Sequence, residues 1–277
     1  MPQSATPTLN IVGAGHVGRA LGRVFAARGL FEVQDVLARS PESAQAGVAF
    51  IGAGRAVDAA AALRPARAWM LAVSDDRIGD VANLLARACP VEGAVVFHCS
   101  GAKASTELAP LREAGAFVAS VHPVRSFADP EGVAASFAGT FCGVEGDAEA
   151  LALLAPALES AGARIVPIDA AAKTVYHAAS VFASNYLVTL LDAALRAYQA
   201  AGIPEPVARE LARPLADETL ANVLRLGAEQ ALSGPIARGD ADTVARQQAA
   251  VDAWDGPTGR LYAALAEATW DLARRRT

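Results

Sequence analysis

The chain has 277 residues, enough for one large domain or two ordinary ones, and 53% of them are apolar against 19% charged. That composition supplies a core and excludes a largely disordered chain. A formal net charge of −5 argues against a phosphate-binding surface, so no nucleic-acid partner is expected.

Cys89, Cys99 and Cys142 are odd in number and form no C-x-x-C pair, which leaves neither a disulfide framework nor a zinc site. No metal is expected. The opening MPQSATPTLNIVGAG lacks a charged segment followed by an apolar export run. The longest uncharged run, 174–191, is broken by His177, Ser180, Ser184 and Asn185, which makes a poor membrane span. A cytoplasmic protein with no membrane partner is the expectation.

In chain order, LNIVGAG predicts a strand followed by a helix over about 17–27, and FEVQDVLARS a second strand. AWMLAVSDD predicts another, with a helix after it through residue 85. AVVFHCSG and AFVASVHP follow as short apolar runs closed by turns, and GTFCGVEG and ARIVPID flank one more helix. This alternation predicts an α/β fold, a Rossmann-like and mostly parallel sheet of seven or eight strands over 1–168. From residue 170 strand signals vanish and alanine and leucine recur at helical spacing, with breaks at AGIPEP and SGPIARGD. An all-α C-terminal domain of about five helices over 169–277 is expected.

Gly13, Gly15 and Gly18 form G-x-G-x-x-G between the first strand and the first helix. Gly13 permits the tight turn, Gly15 lets the backbone approach a diphosphate, and Gly18 lets the helix pack close on the strand. With His16 and Val17 at the helix start, this loop predicts a dinucleotide cofactor. About 20 residues past Gly18, where an NAD site would carry a carboxylate, stand Ala38, Arg39 and Ser40. A guanidinium and a hydroxyl suit a 2′-phosphate, so NADP is preferred to NAD. Asp35 lies earlier, mid-strand, and is expected to point elsewhere. The loops AVSDD, with Val73 and Ser74, and HCSGA, with Ser100 and Gly101, are expected beside the nicotinamide half. His98 and Cys99 are read equally well as packing residues. SVHPVRSF should reach toward substrate through His122, which could also be a rigid turn residue.

At about 100° per residue, Ser180 and Ser184 fall within roughly 20° of Lys173, and His177 within about 40°. These polar groups form one stripe on a helix that is apolar in most other directions. Such a helix is expected to be buried on nearly all sides, its stripe facing a wet cleft toward the glycine-loop domain. Lys173 would then be a proton donor or oxyanion anchor, His177 a second acid/base, and Asn185 would orient substrate beside Ser184. In SGPIARGD, Arg238 could clamp an anionic substrate or be solvated, and Asp240 is expected to cap a helix.

The segments IVGAGHVG, LARS, LAVSDD, HCSGA, HPVRSF, YHAASVFASNYLVTL and GPIARGD together resemble the 6-phosphogluconate-dehydrogenase-like superfamily. The branch they resemble pairs a Rossmann-like NADP-binding domain with a helical domain of unknown function, DUF2520. The resemblance implies an oxidoreductase that moves a hydride to or from a small carbonyl, hydroxy acid or imine, and a homodimer formed through the helical domain. Hydroxyacid dehydrogenases of the superfamily use a lysine and an asparagine four residues later; here Lys173 has His177 at that spacing. The SPGGTT-type loop of proline-forming imine reductases is absent. A non-catalytic dinucleotide sensor or partner-binding module, and an F420-linked NADP reductase, are the alternatives.

Overall fold

A computed structural model describes residues 5–276. The chain divides into two compact units, the first running to Ser184 and the second from Asn185 onward.

The first unit is built on an eight-stranded sheet. Its strands are β1 (Thr8–Val12), β2 (Glu32–Leu37), β3 (Arg55–Val57), β4 (Ala68–Leu71), β5 (Val95–His98), β6 (Phe117–Pro123), β7 (Phe141–Gly146) and β8 (Arg164–Pro167), in the order β3-β2-β1-β4-β5-β6-β7-β8. The 3-2-1-4-5-6 succession is that of dinucleotide-binding sheets. Only the β6–β7 pair is antiparallel among the described strands. The helices are α1 (His16–Ala27), α2 (Pro41–Ile51), α3 (Ile78–Ala88), α4 (Ala109–Glu113), α5 (Pro130–Ala135) and α6 (Ala148–Ser160). Local signals set several of their ends. Ser40 caps α2 with Pro41 in its first turn, and Gly52 closes it at φ 79°. Asp129 caps α5, again with a proline following.

Both sheet faces are covered by apolar layers. One gathers Ile11, Val36, Met70, Phe97 and Val144 against α1 and α6. The other gathers Val12, Trp69, Leu71, Val96 and Val118 against α3 and α4. Two carboxylates on the sheet strands are buried among the described residues, Asp35 on β2 and Glu145 on β7. Asp35 accepts hydrogen bonds from Arg55 Nε at 2.9 Å and Arg64 Nη2 at 2.8 Å. Its carboxylate is taken up by these two arginines.

After β8 the chain enters a continuous helical run: α7 (Lys173–Val181), a π-helical turn (Phe182–Tyr186) and α8 (Leu187–Ala200). By length and apolarity alone, residues Ala170–Ala200 could cross a membrane. Its first turns instead dock on the sheet through Lys173 and Tyr176. For that reason the first unit extends to Ser184, sixteen residues past the expected boundary at 168, although the change in sequence character does fall near 170. The second unit holds α8, α9 (Glu205–Leu226), α10 (Ala228–Ala231), α11 (Ala241–Trp254) and α12 (Gly256–Arg274). Asp240 accepts from the Thr243 amide and caps α11, and Asp255 does the same for α12 through Thr258.

The expectation that the 173–191 helix is buried on nearly all sides does not hold within one chain. Val175, Phe182 and Val188 are 75%, 69% and 67% exposed, while Lys173 is buried. Lys173, Tyr176 and His177 face the sheet, while Ser184 at the far end of the stripe is exposed. The π turn also breaks the assumed phase, because each such turn inserts an extra residue and rotates the helix beyond it. Ser184 and Asn185 lie inside it, so their directions do not follow from Lys173 at 100° per residue.

Candidate active site

The glycine loop is shaped by close backbone approach. Gly13 has φ 107°, and a Cβ there would strike the Ala72 carbonyl. A Cβ on Gly18 would strike the Gly13 carbonyl and come within 3.1 Å of Ala72 Cβ, so this glycine seats α1 against the loop. Gly15 differs: nothing lies within 4 Å of where its Cβ would be. Gly15 is also the N-cap of α1 and offers no side chain to the helix's first amides. Those unpaired donors, with the positive end of the helix dipole, make an anion seat.

The seat opens into a cleft of about 770 Å³ lined by Gly13, Gly15, Arg39, Ser43, Val73 and Ser74 among others. Its volume is in the range that small-molecule sites occupy. Arg39 is exposed at its rim. Ser40 is not a lining residue; its hydroxyl accepts from the Ser43 amide at 3.2 Å and is committed to capping α2, and Ser43 takes its place on the wall. His16 and Val17 follow Gly15 at the start of α1, outside the lining. Asp35 is fully enclosed; burial alone would raise its pKa, but its bonds from Arg64 and Arg55 bring it down to about 2. It offers no carboxylate to a ribose.

A second cluster forms where strand register brings polar residues to one face. His98 pairs with Ser120, Ser120 with Glu145, and His122 with Gly143. Residues directly opposite on neighbouring strands point the same way, and alternate residues along a strand share a face. His98, Ser120, His122, Gly143 and Glu145 therefore continue the Val96–Val118 face as a polar column, and α7 lies over it. Lys173 Nζ donates to the Ser100 carbonyl at 3.1 Å and to Ser120 Oγ, and stands 3.9 Å from Glu145 Oε1. Glu145 accepts from both the amide and the hydroxyl of Ser105 at 2.7 Å. Burial pulls the Lys173 pKa below its ordinary value, opposed by the Glu145 carboxylate. At 2% exposed, this ammonium braces the 100–105 turn from beneath.

The same turn is held by its own polar groups. Ser100 Oγ accepts from the amides of Ala102 and Lys103, so this side chain is spoken for and does not line the cleft. His98 accepts from the Ser100 amide at Nδ1 and donates from Nε2 to the Ala104 carbonyl, both at 3.1 Å, and burial lowers its pKa. Cys99 and Cys142 are pushed up to about 12 by burial, which leaves them inert thiols.

Two imidazoles meet over Gly101, and a phenol joins them from over Gly143. A Cβ on Gly101 would strike His177 and come within 2.7 Å of His122 Nε2. His122 Nδ1 and the Tyr176 hydroxyl are 2.9 Å apart, with their rings edge to face. The His122 and His177 ring centres are 5.7 Å apart. Tyr176 lies over Gly143, where a Cβ would come within 2.5 Å of its hydroxyl. Burial, then electrostatic opposition from neighbouring His177 and Lys173, takes the His122 pKa down to about 4, so this imidazole is neutral at pH 7. Lys173, His177 and His122 are thus brought together with Ser100 and Gly101, but Lys173 is sealed beneath the turn where the sequence reading expects it on a wet cleft. Tyr176, Glu145 and Ser105 join them without being expected. Tyr176 had a signal, since it follows Lys173 by three residues on the same side of the helix; Glu145 had none without the β6–β7 register. Ser184 and Asn185 are exposed, and Arg238 is exposed on the second unit.

Residues 3–123 match the family model of a Rossmann-like domain, and residues 140–269 match that of DUF2520, a domain of unknown function. No protein of curated function matches the sequence. Among solved structures, a candidate NADP oxidoreductase from Bacteroides fragilis is 20% identical with a TM-score of 0.80, over 96% of this chain and 99% of that one. Protein TM1727 from Thermotoga maritima is 27% identical with a TM-score of 0.73, over 97% and 99%. An imine reductase from Myxococcus stipitatus in complex with NADP+ is 17% identical with a TM-score of 0.67, over 97% and 93%.

Proposed function

Because this chain joins a Rossmann-like domain to a DUF2520 domain, we propose that it is an NADP-dependent oxidoreductase acting on a small polar carbonyl, hydroxy acid or imine. The observation that carries the reading is Gly15: an open position on an uncapped helix start, at the mouth of a cleft rimmed by Arg39. The residues present fit the cofactor. The first amides of α1 would hold the diphosphate, and Arg39 with Ser43 would hold the 2′-phosphate. When bound, the nicotinamide supplies or takes up a hydride.

The chain's own contribution is positioning and proton handling. Lys173 braces the Ser100 carbonyl, so the 100–105 turn keeps its shape, and acts as a positioning residue in place of the proton donor its sequence position indicates. His177 and His122, meeting over Gly101, are the groups able to pass a proton to a substrate oxygen or nitrogen. Ser184, Asn185 and Arg238 remain candidates for substrate contact. The solved imine reductase and the candidate oxidoreductase support hydride chemistry on this fold. We also propose that the protein is a homodimer through its helical unit.

Calorimetry with NADPH and NADH tests the reading. NADPH is expected to bind at least about tenfold more tightly than NADH, and Arg39→Ala to erase that difference. Equal affinities in the unaltered protein would refute the cofactor assignment. One observation favours a second reading, a dinucleotide holder without catalysis: the most basic group of α7 is sealed from ligand. NADPH oxidation screened against ketoacids and cyclic imines separates the two, since a holder binds NADPH and turns over nothing.

A further inference from the structure

His122 has two ring nitrogens with different surroundings. Nδ1 faces the Tyr176 hydroxyl at 2.9 Å; Nε2 has no partner among the described residues and lies against the Cβ-less position of Gly101. Burial raises the Tyr176 pKa, so its phenol keeps its proton at neutral pH. A protonated phenol beside a neutral imidazole donates to the unprotonated nitrogen, and the ring proton then resides on the other one. The phenol is itself held in place, because Tyr176 lies against Gly143, the residue directly opposite His122 on β7.

We infer that Tyr176 is a positioning residue that fixes His122 as the tautomer protonated on Nε2, so that the imidazole offers an N–H donor to a carbonyl oxygen of a ligand bound beside Gly101. A neutral imidazole can polarise a carbonyl without first being protonated. The groups facing His122 from the elements around it agree with that state. His177 and Lys173 on α7 oppose added positive charge, and Asp75, after β4, favours it but ranks below them. Tyr176 on α7 and Gly143 on β7 bring none. This inference rests on the proposed function only for the identity of the ligand.

Histidine-selective 15N NMR of the full chain tests it without any turnover. The His122 signals are expected to show Nδ1 bare and Nε2 protonated, and the ring to stay neutral down to about pH 5. Tyr176→Phe removes the donor and keeps the ring over Gly143. It is expected to yield a mixture of tautomers and an upward shift of the His122 titration midpoint, because a bond to the neutral form has been lost. Gly143→Ala, which crowds the hydroxyl, is expected to do the same, and covers the case in which one variant fails to fold. A shift of the Nε2–H signal on saturation with NADP+ assigns the acceptor to the cofactor's carboxamide; a shift only when excess acetone is added assigns it to a second substrate. The inference is overturned if His122 carries its proton on Nδ1, if both variants leave the tautomer unchanged, or if neither NADP+ nor acetone moves the signal. Failure of NADP+ to bind by calorimetry would instead overturn the cofactor reading and leave the tautomer result standing.

Discussion

Asp35 shows at the scale of one residue how much a buried charge depends on its partners. Its side chain is fully enclosed, which would raise its pKa, yet the Arg64 and Arg55 bonds hold it at about 2 against an ordinary 3.8. A folded pKa below the unfolded one means that the group stabilises the fold above the unfolded value and loses that contribution as pH falls through the folded one. The difference is worth about 2 kcal/mol. Asp35→Asn is therefore expected to lower stability to urea by about that much at pH 7, with the gap to the unaltered protein closing as pH falls from about 4 toward 2. An unchanged gap at pH 3 would mean that packing, not ionisation, sets the cost. Residue types alone carried some of this information. A carboxylate mid-strand, away from the strand's C-terminal end, is legible as pointing away from a ribose. Lys173 was legible as a lysine needing a partner but not as one that finds it below the surface, because its acceptors Ser100 and Ser120 and the nearby Glu145 carboxylate converge only through the register of three strands.

Elements were legible where local chemistry and burial agree. The strand–glycine–helix start is legible as a motif, with Gly13 and Gly18 answering to backbone contacts and Gly15 to open space. β3 is only three residues long and edges the sheet, too short for an alternation pattern, and α2 is announced by Ser40 and Pro41 rather than by apolar spacing. The π turn at Phe182–Tyr186 has no signature in residue type, so extrapolating one helical phase from Lys173 to Asn185 fails there. The three glycines of the loop predict separable outcomes. Gly15→Ala puts a methyl into open space, so stability should stay within about 0.5 kcal/mol, apart from a small helix-cap effect. Its NADPH affinity should fall by roughly tenfold or more, because that methyl occupies the approach to the diphosphate. Gly18→Ala drives a methyl into the Gly13 carbonyl and is expected to cost about 1–3 kcal/mol of stability in urea titrations. If Gly15→Ala instead unfolds the protein while Gly18→Ala is silent, the roles assigned to the two positions are reversed.

For the whole molecule, the helical unit leaves an amount of apolar surface that one chain does not cover. On α9, Val207, Leu211 and Leu215 are 45%, 46% and 61% exposed and fall within about 80° of one another around the axis. Leu220 and Leu224, 51% and 79% exposed, lie roughly 140° and 180° on from Leu215. A helix apolar in such different directions has the character of one enclosed on more than one side. Exposed apolar surface of that kind is expected to be covered, and burying it is worth about 25 cal/mol per Å². In the proposed homodimer a second copy would supply a matching surface, since a two-fold contact presents each patch to its own equivalent. Light scattering after size exclusion is expected to give twice the chain mass. Leu224→Glu places a charge on the most exposed of these side chains, and is expected to shift the protein toward the single-chain mass while leaving the sheet unit's NADPH affinity intact. A monomer in the unaltered protein would remove the dimer and require another cover for α9; loss of NADPH affinity in Leu224→Glu would mean that pairing itself supports the cofactor site.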